Sequence, residues 1–391
     1  MESYPTELLL IAGAAMLAPI LAESPKAIRI PVVVLEILLG VLIGPHAFGL
    51  ANPTGMVATM GELGLAFLLF MVGLEIDFEK INGRPLSLAV GGWFLSLFVA
   101  LVLMYFFNTI GLIQTPPILA AVALSTTALG VLVPILRDRD ELNTQFGTFM
   151  LAAGAAGEFG PLVVISMVLI PSHSTLIHTF FMLMFIIIAF AAANIALNAR
   201  PSRLIEILKK TMQSSGQLPV RICILIQILF VALADKFGMN IVMGAFTAGI
   251  VVSLAIKGKD GELLRDKLDA IGYGFLIPIF FIVAGMRFDV SALWSAPIAP
   301  VQVALLSGLL VLVRGIPLVL YKKELSPEEQ VPFALYSATG LPLIVIISEI
   351  GVSSGYMPQE RASVLVCAGM VSVVLFPMLA SRFRGKFVIP W

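Results

Sequence analysis

The sequence predicts an all-α membrane protein of thirteen transmembrane helices arranged as inverted repeats. Three observations carry that reading. The chain has 391 residues, 59% hydrophobic and 12% charged, with a mean hydropathy of +1.03, far from the balance of a soluble domain. Its basic residues gather in alternate loops. Two stretches recur at one offset of 212 residues: Phe70-Met71-Val72-Gly73-Leu74-Glu75-Ile76-Asp77 aligns with Ile282-Val283-Ala284-Gly285-Met286-Arg287-Phe288-Asp289, and Ser125-Thr126-Thr127 with Ser337-Ala338-Thr339. Repeats of this kind, with interrupted helices, are the architecture of secondary transporters, whose ion site lies near the bilayer midplane.

A hydropathy window of about 19 residues places the spans in order. The first, 5–23, follows Met-Glu-Ser-Tyr-Pro with no basic residue ahead of it, which argues against a cleaved signal peptide. The second, 30–50, carries Glu36, and the third, 61–77, has Glu62, Glu75 and Asp77 at its ends, where interfacial anchoring is expected. Then come 86–110, 116–135, 146–170 and 175–198, followed by 218–237, with Arg221 and Asp235 as helix-end charges. The remainder are 240–256, 269–287, 301–321, 331–351 and 362–381; Glu349 sits near one end of the twelfth, a vestibule or water-exposed position. No soluble domain is expected after the thirteenth.

Loop charge sets the orientation. Lys26 and Arg29; Lys80 and Arg84; Arg137 and Arg139; Arg200, Arg203, Lys209 and Lys210; Lys257, Lys259, Arg265 and Lys267; Lys322 and Lys323; and Arg382, Arg384 and Lys386 are 19 of the 24 basic residues, all on one side. The other side keeps Lys236, Arg287 and Arg361. Positive charge stays cytoplasmic, so the N-terminus is expected outside and the C-terminus inside. The matching spans, third with tenth and fifth with twelfth, are an odd number of helices apart and therefore inverted.

Two spans are expected to break. The fifth reads Ala123-Leu124-Ser125-Thr126-Thr127-Ala128-Leu129-Gly130, and the twelfth Tyr336-Ser337-Ala338-Thr339-Gly340-Leu341-Pro342. Hydroxyls compete for backbone partners, glycine weakens helix and proline removes a donor. Unwound backbone at that depth must line a cavity or be buried in protein.

Ionisable groups within spans cost about 2.5–3.5 kcal/mol on the gentlest scale and are functional candidates by default. Glu158 stands near the middle of the sixth span, in Ala155-Ala156-Gly157-Glu158-Phe159-Gly160-Pro161. The glycines let another backbone approach, and Pro161 frees the Gly157 carbonyl from its usual donor. Arg314 lies at similar depth in the eleventh span, and opposite charges at one depth suggest a pair, direct or through water. His46, His173 and His178 lack paired ligand spacing, and Cys223 and Cys367 make no disulfide or metal framework.

These motifs resemble a known family. Gly61-Glu62-Leu63-Gly64 through Phe70-Met71-Val72-Gly73-Leu74-Glu75 is similar to the third-helix signature of the Kef and NapA branch of cation:proton antiporters, the monovalent cation:proton antiporter-2 family, which share a sodium/hydrogen exchanger domain. Leu35 to Pro45, Met243 to Gly249 and Ile279 to Met286 fit its other helices. The resemblance implies a homodimer with a dimerisation domain (helices among 5–77 and 175–287) and a six-helix core (86–170 and 301–381) holding two crossed, discontinuous helices. It implies that Glu158 binds the proton or the metal cation, that Arg314 compensates charge, and that the core moves as an elevator, exchanging Na⁺ or K⁺ for protons. The family carries two adjacent carboxylates, or an amide beside one; this chain has Gly157-Glu158, and no cytosolic nucleotide-binding domain of the Kef type is expected.

The chemistry is consistent with that resemblance. Removal from water penalises a charged carboxylate, while a nearby guanidinium favours it, so proton and cation can compete for one pair of oxygens. A hard cation needs further oxygens, which Ser125, Thr126, Thr127 and the carbonyls around Ser337, Thr339 and Gly340 are placed to supply. One carboxylate predicts one-for-one, electroneutral exchange. Alternatives are an anion or organic-acid carrier with Arg314 as its contact, and a channel or non-transporting sensor. No enzyme chemistry, cofactor or nucleic-acid partner is expected; the partners are monovalent cations, protons, the lipid of the inner (plasma) membrane and a second copy.

Overall fold

In a computed structural model the described residues are 4–23, 32–76, 81–168, 175–198, 211, 214, 216–239, 241–256, 258–288 and 298–384. Asp77, Asp289 and His173 lie outside them. Among the described residues the structure is helical, with no strand. The helices are α1 (Tyr4–Ala22), α2 (Val32–Ile43), α3 (Gly55–Glu75), α4 (Arg84–Thr109), α5 (Pro117–Leu124), α6 (Leu129–Asp138), α7 (Gln145–Val168), α8 (Thr175–Asn198) and α9 (Leu218–Lys236). They continue as α10 (Ile241–Ala255), α11 (Gly258–Ile271), α12 (Ile277–Met286), α13 (Ala299–Gly315), α14 (Leu318–Tyr321), α15 (Pro327–Ser337), α16 (Leu341–Ser353) and α17 (Gln359–Phe383). Nine helical stretches among these residues are long and apolar enough to cross a membrane, and shorter apolar helices occupy 32–43, 117–133, 183–195 and 241–255.

Each of the thirteen expected segments contains helix, but several differ in detail. The fifth and twelfth are split into α5/α6 and α15/α16, at the hydroxyl-rich stretches. The eleventh is also interrupted, where Pro317 separates α13 from α14. The tenth begins earlier than its hydropathy suggests: α11 is an amphipathic helix that buries Leu264 and Leu268, and it runs through a π-helical segment, Gly272–Leu276, into α12. The charged residues of α11 hide this extension from a hydropathy window.

The chain divides into two compact units. One contains residues 1–57, 79–165 and 281–391; the other contains 58–78 and 166–280. In the second unit α10 packs against α9 and α8. Gly73 of α3 and Gly249 of α10 meet reciprocally: a Cβ on Gly73 would strike the Phe246 carbonyl, and one on Gly249 the Phe70 carbonyl. The Ser253 hydroxyl then donates to the Ile76 carbonyl at 2.7 Å. In the first unit α2 and α12 meet in the same way, Gly40 against the Ile282 carbonyl and Gly285 against the Ile37 carbonyl. Phe70 and Gly73 are the residues that the 212 offset relates to Ile282 and Gly285. Small residues at such crossings let helix backbones touch, the principal source of helix association where lipid removes the hydrophobic drive.

Elsewhere in the first unit α4, α13 and α17 pack against the broken helices α5/α6 and α15/α16. Ser326 starts α15 with a capping box: its N–H and hydroxyl both bond the Glu329 carboxylate, at 3.0 Å, which satisfies orphan donors at the helix start. Every residue from Pro332 to Ser348 is buried, so the mid-helix break lies inside protein.

Candidate functional site

Two broken helices leave unpaired backbone at four helix ends, and the groups that answer them define the site. Between α5 and α6 lie Ser125–Ala128; between α15 and α16 lie Ala338–Gly340. The breaks are tied together. The Ala128 N–H donates to the Thr339 carbonyl at 2.6 Å, the Thr127 hydroxyl to the Ser337 carbonyl at 2.6 Å, and the Thr126 hydroxyl to the Gly340 carbonyl at 3.4 Å. Gly340 is required by proximity, since a Cβ there would collide with the Thr126 hydroxyl. The Ser125 hydroxyl donates back to the Val122 carbonyl at 2.8 Å, and the Thr126 hydroxyl shares its one proton between Gly340 and the nearer Ala123 carbonyl at 2.8 Å, closing the end of α5 as back-bonding side chains do.

Helix α7 passes alongside. Pro161 cannot offer an N–H to the Gly157 carbonyl, and that carbonyl instead accepts the Thr127 N–H at 3.1 Å. Gly154, Gly157 and Gly160 recur every third residue, and a Cβ on each would overlap Leu129, Thr127 and Trp93 respectively. At Gly157 the overlap falls 2.8 Å from the Thr127 Cβ. The absent first carboxylate thus has a steric counterpart: only glycine lets α7 approach the break this closely.

Glu158 is 3% exposed, and its Oε1 accepts the Leu129 N–H at 2.9 Å. Leu129 is the first residue of α6, so the carboxylate sits at a helix N-terminus, where orphan N–H groups and the helix dipole favour negative charge. Arg314 is 5% exposed and bonds the other type of helix end. Its Nε donates to the Ser337 carbonyl at the end of α15, at 3.2 Å. One terminal nitrogen reaches the Thr127 hydroxyl at 2.7 Å and the Ala153 carbonyl at 3.4 Å; the other reaches the Ser96 hydroxyl at 3.2 Å. Ser96, on α4, passes its own proton to the Val313 carbonyl at 3.1 Å. Acid and base are joined through Thr127, whose hydroxyl serves Arg314 while its N–H holds the turn of α7 bearing Glu158.

All eight expected residues therefore belong to one buried cluster: Ser125, Thr126, Thr127, Glu158, Arg314, Ser337, Thr339 and Gly340 are each 5% exposed or less, or buried glycine. The Thr339 hydroxyl turns back to the Leu335 carbonyl at 3.2 Å. Sequence reasoning missed Ser96, the Leu129 N–H and Ser372, whose hydroxyl accepts the Gly340 N–H at 3.3 Å. Ser96 and Ser372 carry a weak signal, a lone hydroxyl inside an apolar span; Leu129 contributes backbone and carries none. Of the other charges, Arg221 and Asp235 are exposed near the ends of α9, as helix-end residues should be; Glu62 is exposed too, but it is the eighth residue of α3, which starts at Gly55 ahead of the expected span, and Glu36 is buried in α2. Glu349 forms an ion pair with Arg287. Among the described residues no cluster of three or more His, Cys, Asp or Glu forms a metal site.

A polytopic helical protein with two interrupted helices meeting around a buried carboxylate and guanidinium has the build of an ion-coupled membrane carrier. The chain belongs to the family described as sodium/hydrogen exchanger, transmembrane, whose model matches residues 12–382. YjbQ of Bacillus subtilis (strain 168) is 28% identical over 389 residues, covering 95% of this chain and 62% of its own length, so the chain spans about three fifths of that relative. The Na(+)/H(+) antiporter of Enterococcus hirae is 24% identical, over 91% of this chain and 92% of its own. The sodium proton antiporter MjNhaP1 from Methanocaldococcus jannaschii has the same fold, with a TM-score of 0.65 at 19% identity, covering 97% of this chain and all of its own.

Proposed function

We propose that this protein is a secondary antiporter exchanging a monovalent cation, Na⁺ or K⁺, for protons by alternating access. The observation that carries the reading is Glu158, a carboxylate held against the N-terminus of α6 beside two broken helices. Family membership and relatives named as Na⁺/H⁺ antiporters support cation:proton exchange. Proton and cation compete for the Glu158 oxygens, so the core moves loaded with one or the other while the bare anion stays put. The α6 dipole favours the carboxylate when the proton has left. Carbonyls and hydroxyls around Ser125, Thr126, Thr339 and Gly340 complete the shell of a hard cation. Thr127 and Arg314 hold the crossing instead of binding the ion, since the hydroxyl already serves the guanidinium. A single carboxylate makes the exchange one-for-one and electroneutral.

The same reading includes thirteen crossings with the N-terminus outside, inverted repeats, a plasma-membrane homodimer, and a core of residues 86–170 and 301–381 moving against a scaffold of helices among 5–77 and 175–287, as in the Kef and NapA branch. The matching glycine crossings of α2 with α12 and α10 with α3 support the repeat. The test is proteoliposome exchange followed with a pH-sensitive dye. Glu158→Gln is expected to abolish cation-driven proton movement, and persistent pH-dependent exchange would remove Glu158 from this role.

A further inference from the structure

Helix α16 leads from the crossing to a second polar site in the same unit. Ser348 and Glu349 lie eight and nine residues beyond Gly340, about 12 Å along the helix axis. There a cavity of about 90 Å³ is lined by Ser348, Glu349, Ser363 of α17 and Arg287 beyond the end of α12, with Ile37 and Val345 among its apolar walls. Ser348 and Ser363 are 2% and 1% exposed, and neither hydroxyl has a hydrogen-bond partner among the described residues. Buried hydroxyls left this way are costly, and two of them on one small cavity point to a ligand that supplies the partner. The Glu349 carboxylate meets the Arg287 guanidinium, with both side chains about a third exposed (32% and 31%). Gln359 pins the Arg287 backbone by donating to its carbonyl at 3.0 Å.

We propose that this cavity is a staging site for a monovalent cation at one mouth of the carrier. An incoming Na⁺ or K⁺ displaces the Arg287 guanidinium from Glu349 and takes the Ser348 and Ser363 hydroxyls as further oxygen ligands. The volume admits the ion with part of its water shell, a water's share being about 30 Å³. Carboxylate and hydroxyl oxygens suit a hard cation, and an ion pair about a third exposed is weak enough to exchange. The 212 offset carries Arg287 onto Glu75 and Glu349 onto Arg137, but Ser348 and Ser363 onto Leu136 and Leu151. An acid and a base recur in both halves with their signs exchanged, and the two hydroxyls belong to one half alone. This inference rests on the cation-carrier reading.

The test is the apparent KM for Na⁺ of the full chain in proteoliposomes. Arg287→Gln exposes the carboxylate and is expected to lower KM about two- to five-fold, the range of an exposed ion pair. Glu349→Gln and the double variant Ser348→Ala/Ser363→Ala are expected to raise it. Opposite signs are diagnostic, because a structural brace loses the same pair whichever partner is removed. Shifts of one sign in Arg287→Gln and Glu349→Gln, or no shift in either, would overturn the staging site while leaving antiport intact. Wild-type protein without cation-coupled proton movement would overturn the antiport reading instead. In that event ²²Na⁺ binding to detergent-solubilised Glu158→Gln protein decides the staging site: binding that Glu349→Gln removes supports it, and no binding overturns it.

Discussion

Replacing Thr127 with valine tests the crossing where it is tied most densely. Valine keeps the shape and removes one oxygen. Thr127 is fully buried, and its hydroxyl both donates to the Ser337 carbonyl at 2.6 Å and accepts from Arg314 at 2.7 Å. A hydrogen bond with a charged partner contributes about 1.5–3 kcal/mol, and a neutral one about 0.5–1.5 kcal/mol. Losing both, with the rest of the crossing relaxing around the loss, should cost about 2–4 kcal/mol. Thr127→Ser keeps the oxygen and should lose far less. The assay is thermal unfolding in detergent beside proteoliposome exchange, with all three proteins compared. Valine should melt lowest, by a few degrees, and exchange most slowly. A valine protein as stable and active as wild type, or a serine protein as damaged as valine, would refute the argument that this hydroxyl bridges helix end and guanidinium.

Gly157→Ala, and more so Gly157→Asp to mimic the paired carboxylates of the resembling family, should push Thr127 aside and cost about 1–3 kcal/mol in detergent unfolding. Arg314→Lys cannot span Ser96, Thr127 and the Ser337 carbonyl with one ammonium; it should slow exchange yet leave more folded protein than Arg314→Ala. Arg314→Ala should move the exchange profile to higher pH, since losing a positive charge favours a neutral carboxyl, and an unmoved profile would assign the arginine to bracing alone. Under an imposed membrane potential, wild-type exchange should carry no current on a supported-membrane electrode; a cation-driven current that reverses with potential would contradict electroneutrality.

What the sequence announced, it announced through backbone chemistry. Pro161 foretold a free Gly157 carbonyl, and the Thr127 N–H took it. Ser125-Thr126-Thr127 and Thr339-Gly340-Leu341-Pro342 foretold both breaks, because hydroxyls, glycine and proline all weaken the helix ladder. Glu158 and Arg314 were legible as buried charges, since so few ionisable residues interrupt the apolar spans. Their partners were not. Opposite charges at one depth suggested a pair, direct or through water; the bonds to helix ends, from Glu158 to the start of α6 and from Arg314 to the end of α15, were not foreseen. Which helix end a charge meets depends on how two breaks cross, and no local pattern encodes that. The early start of α11 and the split between α13 and α14 were hidden for opposite reasons: charge masked helix in the first, and apolar residues on both sides of Pro317 masked a break in the second.

The central claim is that one carboxylate serves proton and cation in turn. The most direct measurement is the apparent KM for Na⁺ or K⁺ across a pH series in proteoliposomes. Competition for a single protonatable site predicts that, on the acidic limb, KM rises about tenfold for each unit that the pH falls while the saturating rate holds, the slope of one linked proton. A KM that ignores pH, with only the maximal rate changing, would mean that proton and cation do not share Glu158.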